Sequence, residues 1–142
     1  MKENINALDE IHKGACMGID ALSFVMDKVE DGELKKELER EYGEYKMIAD
    51  RIEEIYPKYN DGKPHETGAM NKAMTFTSIE MKTMNDNSNS KLAELLLNGV
   101  NMGIIEGRRI LNKKKIDDEV SKIVSEYVEM QEKSVENLKS YL

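Results

Sequence analysis

The stretch Gly14-Ala15-Cys16-Met17-Gly18-Ile19 has an echo at Gly99-Val100-Asn101-Met102-Gly103-Ile104, an offset of 85 residues. The same offset carries Glu41-Tyr42-Gly43-Glu44 onto Glu126-Tyr127-Val128-Glu129, Lys28 onto Lys113 and Tyr56 onto Tyr141. Two separate clusters that share one offset without a gap read as an internal repeat. Each copy holds two segments of helical periodicity, so the repeat divides the chain into two hairpins.

The first hairpin covers residues 4–57. Leu8, His12, Ala15, Ile19, Leu22, Met26 and Val29 recur at spacings of four and three, the mark of one buried helical stripe. Asp31-Gly32 breaks this helix, since glycine tolerates the left-handed conformation that ends helices. A second helix from about Glu33 to Tyr56 carries the stripe Leu34, Leu38, Glu41, Tyr45, Ile48, Ile52 and Ile55. Pro57 and the run Tyr59-Asn60-Asp61-Gly62-Lys63-Pro64 end it with turn chemistry.

Residues 58–90 form a crossover with its own helix, from Glu66 to about Met84. One face of that helix carries Met70, Ala73, Met74, Thr77, Met81 and Met84. Thioethers fill irregular gaps, so this stripe reads as a packing surface, in the core or at an interface. The polar run Asn85-Asp86-Asn87-Ser88-Asn89-Ser90 competes with the helix backbone and then supplies an N-cap.

The second hairpin covers residues 91–142. Its first helix, Lys91 to Lys113, is apolar nearly all round. The repeat resolves its inner face as Ala93, Leu96, Val100, Ile104, Gly107 and Leu111. Gly99, Gly103 and Gly107, four residues apart, allow close backbone approach. The last helix, Asp117 to Tyr141, has the stripe Val120, Ile123, Tyr127, Met130, Ser134, Leu138 and Tyr141. Lys113-Lys114-Lys115 and Asp117-Asp118-Glu119 put cations at one helix end and anions at the next start, as the helix dipole favours.

The 142 residues suit one domain, here taken as 1–142. Abundant Glu, Lys, Met and Leu with two Pro and no Trp favour helix over β architectures. The net charge of −7, without a basic stripe, disfavours nucleic-acid and anionic-membrane binding. No apolar run follows Met1-Lys2-Glu3-Asn4 as in a signal peptide, and no stretch is apolar enough to span a bilayer. A lone Cys16 makes no intrachain disulfide, so a reducing cytoplasm is expected. Nucleophile elbows, P-loops and dinucleotide fingerprints are absent. His12 lies on the flank of the first stripe and reads as a partly buried structural residue, and His65 reads as a solvated loop residue.

Two hairpins joined by a long crossover look like the ferritin-like four-helix bundle. Residues 7–142 also resemble a group of small uncharacterised bacterial ferritin-like proteins classed as domains of unknown function. The likeness rests on Met102-Gly103-Ile104 followed by Ile105-Glu106 in a late apolar helix. What the resemblance implies is an all-α bundle in up-down-down-up order, with an extra crossover helix. Di-iron members of that superfamily use one Glu from each of two helices and Glu-x-x-His from each of the other two. Here Glu41 with Glu44, and Glu126 with Glu129, fall in the expected helices, but Glu replaces His in both. On the paired helices Asp20 and Glu106 stand at a suitable height. Asp20 points away from the core stripe, and Glu106 sits at the edge of its core face or beyond. An all-carboxylate set suits hard ions such as manganese rather than zinc.

Three functional expectations follow. The leading one is a non-enzymatic cytoplasmic packing or interaction protein without a complete di-iron site. It would be a homodimer through the outward apolar residues Met17, Phe24, Leu95 and Met102, unless the crossover helix covers them. The second is a carboxylate-based iron or manganese protein using Glu41, Glu44, Glu106, Glu126 and Glu129. The third is a small-ligand binder using a Met-lined crevice beside the crossover helix.

Overall fold

The computed structural model describes residues 2–142, and among them it is all-helical with no strand. The helices are α1 (Lys2–Met26), α2 (Gly32–Ile55), α3 (Ala69–Thr83), α4 (Asn89–Lys113) and α5 (Asp118–Lys139), with a 3-10 turn at Tyr56–Lys58. The most extensive packing joins α1 to α2 and α4 to α5. The two pairs then meet through α1 on α4 and α2 on α5, while α3 lies chiefly on α1 and touches α4. No helix among the described residues is long and apolar enough to cross a membrane.

The stripes of α1, α2 and α5 supply most of the core, with Ile19, Met26, Met130 and Tyr141 only partly buried against it. Every residue of the α2 stripe is buried, Glu41 included. Leu8, Leu34, Leu38, Ile52, Leu92 and Leu138 have essentially no exposed surface. Full burial of such a side chain contributes about 1.5–3 kcal/mol. In α4 the inner face includes Ala93, Leu96, Val100 and Gly107, but Ile104 and Leu111 are only partly buried, and Leu92 and Leu97 turn inward instead.

The ends of the helices are tied by polar contacts. The Asp117 N–H, at the start of α5, donates to Asn4 Oδ1, at the start of α1, over 2.8 Å. Lys58, just past α2, pairs with Glu119 at 3.0 Å, and the Tyr59 hydroxyl donates to Asp117 at 3.2 Å. The Asn137 amide, near the end of α5, donates to Glu37 near the start of α2 at 3.3 Å.

Three local expectations are corrected. Asp31-Gly32 does not end the first helix. Instead α1 stops at Met26, and the Val29 N–H reaches back to the Met26 carbonyl at 3.3 Å, tucking Val29 into the core. Asp31 is the N-cap of α2, its carboxylate accepting from the Glu33 and Leu34 N–H groups at 3.0 and 2.9 Å. The crossover helix begins at Ala69 rather than Glu66, because α1 holds the preceding backbone. Asp9 accepts the His65 N–H at 3.0 Å, and His12 Nδ1 donates to the His65 carbonyl at 2.7 Å.

The third correction concerns the face of α3. Ile79 and Thr83 are its buried residues, while Met70, Met74, Met81 and Met84 are exposed. Contacts with α1 accompany this rotation. Lys72 reaches Asp20 at 3.7 Å, Glu80 pairs with Lys28 at 2.7 Å, and Phe76 meets Phe24 edge-on at 5.1 Å between centroids. The buried Thr83 hydroxyl is satisfied by the Ile79 carbonyl at 2.7 Å.

Candidate functional site

Small residues leave room where α1 and α4 face α2 and α5. A Cβ on Gly14 would lie 2.6 Å from the Tyr127 hydroxyl oxygen, and one on Gly18 would lie 2.9 Å from the Tyr45 ring. A Cβ on Gly103 would collide with the Gln131 amide, and one on Gly107 with Val128. The helical glycines therefore admit side chains from the opposite helices rather than a neighbouring backbone. Gly99 differs, since no atom lies within 4 Å of its Cβ position.

Gly99 opens onto a cavity of about 540 Å³ between α1, α3 and α4. That is within the usual range for small-molecule sites, about 300–1,000 Å³. Its walls are apolar: Met17, Leu22, Met74, Ile79, Leu95, Leu96, Val100 and Met102. Glu41 and Tyr45 of α2 and Tyr127 and Gln131 of α5 also line it, as a polar floor. The two tyrosine rings meet edge-on, 6.2 Å between centroids.

The floor is buried and incompletely paired. Glu41 and Gln131 are each 2% exposed. Ser134 donates to Glu41 Oε1 at 2.5 Å, and Gln131 Nε2 donates to the Tyr45 hydroxyl at 3.3 Å. Glu41 Oε2 and Gln131 Oε1 have no hydrogen-bond partner. Burial, reinforced by the neighbouring Glu37 carboxylate, pushes the Glu41 carboxyl up to about 8 against the help of Ser134. A carboxylic acid held neutral near pH 7 is the expected response to an apolar site. Burial likewise pushes the Tyr45 phenol up to about 12, and Tyr127 upward as well.

The structure does not gather the five carboxylates expected to hold a metal. Only Glu41 enters the interior. Glu44 turns to Arg40, and Glu126 pairs with Arg51 at a half-exposed position. Glu129 is exposed, and Glu106 is exposed while lining the cavity. Among the described residues no group of three or more His, Cys, Asp or Glu could hold a metal ion. Asp20 faces α3 through Lys72, away from Glu41's network.

The four outward apolar residues find different neighbours. Phe24 packs on Phe76 of the crossover helix, and Leu95 is partly buried in the cavity wall. Met17 and Met102, 40% and 68% exposed, line the same cavity from its solvent side. Reading the chain helix by helix missed Gln131. The available signal was its place one turn beyond Tyr127 on α5, where a polar residue interrupts buried positions. His12 is fully buried, and burial pushes the Cys16 thiol beside it upward, away from a reactive thiolate.

Comparison with protein-family models, with curated proteins and with solved structures finds no match.

Proposed function

We propose that this chain is a ferritin-like bundle in up-down-down-up order whose interior binds a small, largely apolar molecule. The order is supported by the end contacts: the starts of α1 and α5 adjoin through Asn4 and Asp117, and α2 runs against α5 from Glu37–Asn137 to Lys58–Glu119. The observation that carries the ligand reading is the apolar cavity with the buried, half-satisfied floor of Glu41 and Gln131. A buried polar group without a partner costs about 1–3 kcal/mol, and a ligand that pairs with it recovers that cost. The reading assigns no reaction. It leaves less for a second copy to cover, since α3 packs on Phe24 and the wall holds Leu95.

The test is fluorescence titration with the neutral apolar probe N-phenyl-1-naphthylamine. Wild-type protein is expected to bind it saturably at one site. Gly99→Leu places a side chain in open space and should occupy part of the cavity without straining the fold. Its dissociation constant should rise about ten-fold, equivalent to about 1.4 kcal/mol. No saturable binding, or binding that Gly99→Leu leaves unchanged, would contradict the reading.

A further inference from the structure

The chemistry of the floor narrows the class of ligand, granted that the cavity binds one. Both unpaired atoms are oxygens: Glu41 Oε2 and Gln131 Oε1. The Gln131 oxygen is an acceptor at any pH, and the Glu41 oxygen is one once the carboxyl is ionised. No lysine or arginine makes an ion pair with Glu41 among the described residues. The neighbouring carboxylate, Glu37, is already held by Arg40 and Asn137. The other charged residues on the lining, Glu10, Lys13, Lys82 and Glu106, are exposed or half-buried, and two of these four are acidic. The floor thus offers acceptors and an acid without an ion-pair partner, though the Arg40 charge favours its ionised form, with the rings of Tyr45 and Tyr127 beside them.

We propose that the ligand is an amphipathic ammonium compound, whose N–H groups donate to Glu41 and Gln131 while its hydrocarbon body lies on the Met and Leu wall. A carboxylate head would set oxygen against oxygen at Gln131, and at Glu41 once that carboxyl is ionised, as it is at the pH of the test below. An alcohol head has one hydrogen for two acceptors and no charge. An alkylammonium has enough donors for both, neutralises Glu41, and gains from the faces of the tyrosines. The ligand ionises Glu41 on binding, because the cation favours the charged form of the acid.

The test uses the full chain and displacement of bound N-phenyl-1-naphthylamine by octylamine, octanol and octanoate. The pH is set at about 9, where alkylamines, like lysine, remain largely protonated. Octylamine is expected to compete about ten-fold or more better than octanol, the gain of a hydrogen bond to a charged group, and octanoate worst. Glu41→Gln should shrink the gap between amine and alcohol, with the fold checked by circular dichroism. Octanol or octanoate matching octylamine would overturn the ammonium assignment and leave the cavity as an apolar binding site. Failure of the naphthylamine probe itself would remove the binding reading, and the ammonium assignment with it.

Discussion

Glu41 and Glu126 hold corresponding places at the 85-residue offset, each beginning a Glu-Tyr pair. Their surroundings differ. Glu41 is buried against Ser134, while Glu126 lies at a half-exposed position on Arg51. The glycines diverge in the same way. Gly14 is pressed by the Tyr127 hydroxyl, whereas Gly99 faces open cavity. Equivalent sequence positions therefore need not share burial, because burial depends on what the opposite helix presents. Here α5 offers Ser134 and Gln131 to one hairpin, and α2 offers Arg51 to the other. The doubled set of carboxylates collapses to a single interior acid.

The largest expected difference separates Glu41→Gln from Glu126→Gln. With the Glu41 carboxyl at about 8 when folded and 4.5 as its ordinary value, the folded chain keeps a proton that the unfolded chain has released between those two pH values. Stability should fall as pH rises through that window, by up to about 5 kcal/mol from this group, and level off above it. Urea unfolding of Glu41→Gln should lose this slope and show higher stability than wild type at alkaline pH. Glu126→Gln should keep the slope. Equal behaviour of the two variants would erase the distinction.

Next come the glycines. Gly14→Ala should cost up to about 2 kcal/mol, as overpacking against Tyr127 of about 1–3 kcal/mol outweighs a helix-propensity gain of about 0.5–1 kcal/mol. Gly99→Ala should gain about 0.5–1 kcal/mol through helix propensity. Thermal melts that moved both variants the same way would show that the two faces are packed alike.

The partners of the two acids should rank similarly. Ser134→Ala removes the buried donor to Glu41 and should cost about 1–3 kcal/mol. Arg51→Ala removes a partly exposed ion pair and should cost no more than about 1 kcal/mol. A larger loss in Arg51→Ala, measured by chemical denaturation, would place the second acid on an equal footing with the first.

The smallest expected effect is that of added metal. Titration with manganese or ferrous iron should give no saturable site. Stoichiometric uptake that disappears in both Glu41→Ala and Glu126→Ala would restore the equivalence of the two halves as a ligand set.

Much of the helical framework was legible because burial in α2 follows its stripe, whereas in α5 Met130 and Tyr141 of the expected stripe are only partly buried and Val124, Val128 and Gln131 turn inward beside it. Leu34 through Ile55 could be read off a wheel without knowing any neighbour. The face of α3 could not. Its methionines have the right spacing, but Lys72, Phe76 and Glu80 meet partners on α1 that no local pattern reveals. Asp31 was misread because an Asp-Gly pair serves equally as the stop of one helix and the cap of the next. At the site, Glu41 was legible as a carboxylate within an apolar stripe. Its partner Ser134 and its neighbour on the floor, Gln131, lie 93 and 90 positions further along the chain and come near it only through packing of α5 on α2.

The most direct test is a pH titration of the Glu41 side-chain carboxyl by carbon-13 NMR, assigned by its absence in Glu41→Gln. Glu41, buried without an ion-pair partner, should titrate near 8. A Glu41 midpoint near its ordinary value of 4.5 would mean that the floor is open to water or already neutralised, and would contradict the account.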